Sequence, residues 1–316
     1  MDALRTRLVT PDPISQEWAG EPRLDVRARA GELVRVRRAV YVSADDWHPD
    51  DRAAVATLRA RAAQARAAAP LVFSHTTAAH LLGLPVVGAR DGALHVTNLE
   101  GSTRRTRHGI VWHSTSQPGS IEVQRHGDLM VTTASQTALD LARSASSVTS
   151  FIVADAVAHA SGNPATVRAW WAHRLADLGP ARGSRRATTV LGLVTGLAES
   201  PFESLSLLRM HELGFQLPEQ QIDIVTHRGL CRLDFGWEGG AIAGEADGRS
   251  KYDGVVSPAQ MEQRLWEEKL RHDAVREKVR AYPRWTWDEA WWGHGLERSL
   301  LEAGVPRPRR RVRLSF

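Results

Sequence analysis

Two strands joined by a pair of glycines constrain this chain more than any other feature. Arg232-Leu-Asp-Phe-Gly-Trp237 and Ala241-Ile-Ala-Gly-Glu-Ala-Asp247 flank Gly239-Gly240. A two-residue type I′ turn needs positive φ at both central positions, which glycine adopts without steric cost. Such a turn pairs Glu238 with Ala241 and, counting back, sets Asp234 directly opposite Glu245. Glu245 and Asp247 then share a face, because side chains alternate along a strand. Carboxylates placed opposite each other repel and destabilise a sheet. A bound cation is the usual compensation, and magnesium takes one or two carboxylates together with water and phosphate oxygens.

The segments around the hairpin extend the pattern. Ser200-Pro-Phe-Glu203 opens a helix with serine at the N-cap, proline at N1 and glutamate at N3. Leu205, Leu208 and Leu213 supply its apolar stripe, and Gly214 stops it. Residues 220–226 alternate as a strand. Ser257-Pro-Ala-Gln260 starts a long helix reaching about residue 277, residues 279–287 hold a last strand, and a Trp-rich helix follows from Asp288. The order predicted for residues 198–316 is αβββαβ.

The N-terminal half divides differently. In residues 1–48, residues 14–18 and 23–30 each suit a short helix, and residues 32–42 alternate as a strand pair with Arg35, Arg37 and Arg38 along it. Helix followed by a basic β-ribbon is the outline of a winged helix-turn-helix. Residues 49–162 read as a small α/β domain: an Ala/Arg helix over 51–68, then Leu71-Val-Phe as a strand running into a helix closed by Gly83 and Pro85. Strands at His95-Val-Thr97, Gly109-Ile-Val-Trp-His113 and Asp128-Leu-Met-Val-Thr132 and two further helices complete it. Residues 163–197 form a helical connector, broken at Gly179-Pro180-Ala-Arg-Gly-Ser-Arg-Arg186. The fold class expected is therefore α/β (α+β).

Composition narrows the function classes. A chain of 316 residues, 42% hydrophobic and 24% charged, is an ordinary soluble chain of about two domains. No apolar run approaches the roughly 18 residues of a membrane span, and the first residues lack a signal-peptide core, so a cytoplasmic protein without membrane contact is expected. Cys231 is the only cysteine, which excludes a disulfide framework and a cysteine zinc site. The formal charge of +5 leans toward polyanions. Lysine, the cation whose pKa is readily tuned, occurs only as Lys251, Lys269 and Lys278, all in the last quarter.

Two resemblances follow from these residues. Arg35-Val-Arg-Arg-Ala-Val-Tyr41, Ser74-His-Thr-Thr-Ala-Ala79 with Gly83-Leu-Pro85, His95-Val-Thr97 and Thr132-Thr-Ala-Ser-Gln-Thr-Ala-Leu-Asp-Leu-Ala142 resemble the AbiEi antitoxins of abortive-infection toxin–antitoxin systems. That resemblance implies a winged helix that binds DNA and a cognate toxin or defence-system partner. The αβββαβ order, the Asp234–Glu245 separation, Glu245-Ala-Asp-Gly248, Lys269-Leu-Arg-His-Asp273 with Arg276, and Arg284-Trp-Thr-Trp287 resemble the Vsr-like branch of the PD-(D/E)XK nucleases. It implies a restriction-endonuclease-like domain in which Asp234 and Glu245 ligate Mg²⁺ or Mn²⁺ and Glu203 supports them. The superfamily's lysine, two residues after the glutamate, is Asp247 here, so Lys251 and Lys269 are the candidates to orient the attacking water. Lys269 shares a helical face with Asp273 and Arg276. Arg249 and Arg271 are the phosphate contacts expected nearby.

Each assignment has a plainer counterpart. Glu203 is also the N3 member of a capping box, Asp247-Gly248 also a turn, and Lys251 and Lys269 also ordinary surface lysines. His75 and His80 are expected to pack or cap, the tryptophans at 285, 287, 291 and 292 to fill the core, and residues 306–311 to form a mobile basic tail. The expected function is a metal-dependent DNA endonuclease or nickase. The alternatives are a non-enzymatic DNA-binding regulator carrying a degenerate nuclease fold, and a fold that only docks a protein partner.

Overall fold

The computed structural model describes residues 3–10, 23–89, 92–100, 106, 108–115, 117–247, 258–308 and 310–311. The helix expected over 14–18, the N-cap at Ser257, and Gly248, Arg249 and Lys251 lie outside the described residues. The chain divides into two compact units, Met1–Ala145 and Ser146–Phe316. The division falls at Ala145/Ser146, so the helix beginning at Ser147 belongs to the C-terminal unit rather than with residues 49–162.

In the N-terminal unit, α1 (Leu24–Arg29) precedes an antiparallel hairpin of β1 (Leu33–Arg37) and β2 (Val40–Ser43). The hairpin turns through Arg38-Ala39, with Ala39 at φ +58 where glycine is usual. Asp51 caps α2 (Arg52–Gln64) by accepting from Ala54 N at 2.9 Å. There follow β3 (Val72–Phe73), α3 (His75–Leu81), β4 (Leu94–Asn98), β5 (Ile110–Ser114), β6 (Val123–His126), β7 (Leu129–Thr132) and α4 (Ala134–Ser144), the last capped by Thr133. The five strands β3 to β7 form one mixed sheet in the order β5-β4-β3-β7-β6. Phe73, Val96, Leu129 and Val131 on this sheet pack with Ala78 and Leu81 of α3 and Ala60 and Ala63 of α2.

The C-terminal unit begins with α5 (Ser147–Ala160), α6 (Pro164–Leu178) and α7 (Ser184–Gly192). Buried Asp155 on α5 accepts from Gly196 N and Ser204 Oγ, both at 2.8 Å, which ties α5 to α8 (Pro201–Leu213). The chain continues through β8 (Glu219–Thr226), β9 (Gly229–Trp237), β10 (Ile242–Ala246), α9 (Pro258–Arg276), β11 (Arg284–Trp285), α10 (Trp287–Trp292) and α11 (His294–Glu302). From α8 to β11 the order is αβββαβ, as the sequence predicts. The sheet runs β11-β10-β9-β8, antiparallel except for the β10–β11 pair. The protein is of mixed α/β class, and no helix among the described residues is long and apolar enough to cross a membrane.

The residues after α11 differ from the expected mobile tail. Arg307 lies over the Phe215 ring, donates to Leu213 O at 2.8 Å and pairs with Glu297 at 2.9 Å, and Arg311 pairs with Glu297 as well. Arg307 is committed to the folded unit because it finds an aromatic face, an orphan helix carbonyl and a carboxylate together, and Arg311 shares that carboxylate. Trp285 is fully buried and Trp287 stacks on Trp291, as core packing predicts, whereas Trp292 is exposed.

Candidate active site

The hairpin of β9 and β10 sets the geometry. Gly239 (φ 64, ψ 29) and Gly240 (φ 88) hold the left-handed turn, but Glu238 also takes φ 52 and pairing starts at Trp237–Ile242. The loop is thus one residue wider on each side than the predicted turn. Symmetric widening leaves the register unchanged as far as the Gly244–Phe235 pair, where the ladder ends one position short of Glu245 and Asp234. Gly244 leaves room for the rings that cover it, since a Cβ would sit 3.0 Å from the Trp285 ring and 3.2 Å from Trp237 and press both back.

The same row continues across the sheet. Gln220 pairs with Phe235 and Ile222 with Leu233, which puts Gln221 opposite Asp234, and Glu245 is in parallel register with Arg284. Regular alternation would turn Leu233, Phe235 and Trp237 to one face. Instead Cys231 and Leu233 belong to the cluster around Val275 of α9, while Phe235 stacks on Trp285, whose indole donates to Ser206 of α8. The pleat changes face at Asp234 and Gln221, and Gln221 carries the irregularity as φ +56. In place of the next ladder bond, Ala246 N donates to Asp234 Oδ2 at 2.8 Å.

Glu245 is buried, with 4% of its surface exposed. Arg271 of α9 grips both its oxygens, through Nη2 to Oε1 and Nη1 to Oε2 at 3.4 Å, and Tyr282 donates its hydroxyl to Oε2. Arg284 Nε stands 3.8 Å from Oε2. Burial pushes the Glu245 carboxyl up, but the bonds from Arg271 and Tyr282 outweigh it, so its pKa lies below the ordinary carboxylate value. Burial and then the Glu245 charge raise the Tyr282 phenol, which stays protonated and donates. Arg284 also reaches Asp247 at 3.2 Å and Glu268 at 3.1 Å. Burial opposes the Arg284 charge, yet these carboxylates raise its pKa.

The structure distributes the predicted residues unequally. Glu245 and Asp247 meet through Arg284, and Asp234 is bonded to the amide of Ala246 between them. Glu203 is consumed by its cap: Ser200 Oγ donates to Oε1 at 2.7 Å and Glu199 N to Oε2 at 3.0 Å. It still touches the row, because Gln221 Nε2 donates to the same Oε2 at 2.8 Å. Lys269 is exposed on the outer side of α9, over the Trp266 ring at 5.4 Å, and Arg276 is exposed. Arg271, two residues beyond Lys269, is the cation that reaches Glu245. Arg35 and Arg38 are exposed on the N-terminal hairpin, and burial lowers the Arg37 guanidinium pKa. Arg284, Tyr282 and Glu268 carried no assigned role from sequence. Their signal was weak, since only the register of β11 and the rotation of α9 bring them in.

Three carboxylates (Glu245, Asp247, Glu268) share this network with two guanidiniums, leaving formal negative charge over, and Asp234 is bonded to the Ala246 amide between two of them. The donor set is hard oxygen, the kind magnesium or manganese selects. Among the described residues no three His, Cys, Asp or Glu side chains are grouped to hold a metal, which leaves Glu245 and, on the adjacent strand, Asp234 as the carboxylates available. The Arg271 guanidinium already stands as a cation on Glu245. The oxygen donors suit a divalent ion in chemistry, with the Arg271 guanidinium standing in its place on Glu245.

A second cluster, in the N-terminal unit, was also missed. His75 stacks on His113 with ring centroids 3.5 Å apart, and His95 Nδ1 lies 2.9 Å from His113 Nε2. Buried His75, at φ +53, contacts Ser74 Oγ through Nδ1 at 2.9 Å. Burial first, then His113, His95 and Arg143, hold its pKa well below the ordinary value. The three rings stack, and among the described residues no three His, Cys, Asp or Glu side chains are grouped to hold a metal.

No protein-family model matches this chain, and no curated protein is similar to it in sequence.

Proposed function

We propose that this chain is a metal-dependent DNA endonuclease or nickase, with its N-terminal unit binding DNA or a partner in a toxin–antitoxin or phage-defence setting. The observation that carries this reading is the pair of carboxylates on adjacent strands of an αβββαβ unit, Glu245 buried on one and Asp234 on the other, bonded to the amide of Ala246 next to Glu245. Such a pair is unfavourable in a sheet without a counter-charge, and burial raises the cost. Asp234 and Glu245 would hold Mg²⁺ or Mn²⁺. When bound, the ion supplies polarisation of the phosphodiester and a more acidic water. Arg284 keeps a fixed positive charge beside Glu245 and Asp247, the position from which the superfamily's lysine is missing. Gln221 ties Glu203 to the row and fixes the end of α8 against it. Arg35 and Arg38 offer the N-terminal contacts to phosphate.

The test is conversion of supercoiled plasmid to nicked or linear DNA with Mg²⁺ or Mn²⁺. The wild-type chain is expected to convert it, EDTA to stop it, and Asp234→Ala and Glu245→Ala each to slow it by more than about 100-fold. Cleavage indifferent to both substitutions, or none with either ion, would sink the proposal.

A second reading is favoured by the engagement of both Glu245 oxygens by Arg271 and Tyr282. A carboxylate so saturated also suits a non-enzymatic DNA-binding regulator on a degenerate nuclease fold. That reading predicts salt-sensitive DNA binding without cutting.

A further inference from the structure

We infer that Arg271 is the resident counter-ion of Glu245 and that a divalent metal ion exchanges with it, releasing the guanidinium from the carboxylate; this rests on the metal-dependent reading above. Arg271 occupies both Glu245 oxygens, the lone pairs an ion needs, so guanidinium and metal are alternative occupants. A carboxylate buried as deeply as Glu245 is costly without a cation, so the metal-free protein needs a substitute.

The substitute is built to leave. The Arg271 side chain is 29% exposed, whereas that of Glu245 is 6% exposed. It has other partners within reach: Nη1 lies 3.5 Å from Glu268 Oε1, and Nη2 donates to Arg232 O at 3.1 Å. A released guanidinium therefore keeps a carboxylate and a carbonyl while turning toward solvent, where a phosphate can meet it. Arg284 differs, because it is divided among Asp247, Glu268 and Glu245 and stays fixed. Arg271 is thus a positioning residue, which holds Glu245 ionised and in place until the ion arrives.

Mn²⁺ binding to the full chain, followed by electron paramagnetic resonance and by thermal shift, tests the exchange. Arg271→Met is expected to bind Mn²⁺ at least about tenfold more tightly than wild type and to gain more thermal stability from it. Arg271→Lys, the milder change, should fall between them. Glu245→Gln should abolish binding, and Lys278→Met, on the exposed end beyond α9, should match wild type. Binding to wild type that is equal or weaker in folded Arg271→Met and Arg271→Lys overturns the exchange but leaves the metal-dependent reading standing. No binding to wild type or to either folded Arg271 variant overturns both.

Discussion

At the scale of single residues, the C-terminal site is decided by which cation on α9 reaches Glu245. Lys269 and Arg271 are two positions apart on a helix, about 200° around its axis, so only one can face the sheet. Sequence favoured Lys269 for its chemistry, but the rotation of α9 is set by Val275 packing against Leu233 and Ala243. That packing turns Arg271 inward and leaves Lys269 over Trp266. The histidines were illegible for a related reason: His75, His95 and His113 meet only through the β3–β4 and β4–β5 pairings. Their meeting has a pH consequence. With its folded pKa well below the unfolded value near 6.5, His75 leaves the folded state binding fewer protons than the unfolded one. Stability is full above that value and falls as pH drops below it, by up to about 1.4 kcal/mol per pH unit for one group. Denaturant titrations of the full chain at pH 7.5, 6.5 and 5.5 should show this loss. His75→Asn, which tolerates the left-handed backbone, should flatten it; an unchanged slope would contradict the assignment.

At the scale of elements, short-range chemistry was the legible part. Gly239-Gly240 gave the hairpin register, and Ser200-Pro-Phe-Glu203 gave the start of α8, with Ser200 Oγ accepting from Glu203 N at 3.2 Å. What the glycines did not reveal is the change of face at Asp234, because it originates in Gln221 on the neighbouring strand. The β1–β2 hairpin shows the reverse situation. Its turn holds Ala39 at φ +58, immediately before the fully buried Val40, so a residue with a side chain stands where the backbone favours glycine. An L-residue in that region costs about 1–2 kcal/mol, partly offset by the greater unfolded freedom of glycine. Ala39→Gly should therefore stabilise the chain by about 0.5–1 kcal/mol in denaturant unfolding. Destabilisation instead would mean that the turn depends on the Ala39 methyl group.

At the scale of the whole molecule, the αβββαβ order and the α/β class could be read from periodicity and punctuation, because each element carries its own caps and alternation. The boundary at Ala145/Ser146 could not. α5 is buried along nearly its whole length, and its allegiance is fixed by Asp155 bonding Gly196 and Ser204 far along the chain. The site likewise gathers four strands and two helices into one row, and its balance of carboxylates over guanidiniums emerges only there. The most direct measurement is a crystal structure of the full chain soaked in Mn²⁺, with anomalous scattering recorded to locate the ion. Exchange at Glu245 predicts an anomalous peak beside the Glu245 carboxylate, with the Arg271 guanidinium withdrawn from it. A map without a peak there, and with Arg271 still gripping both Glu245 oxygens, would contradict it.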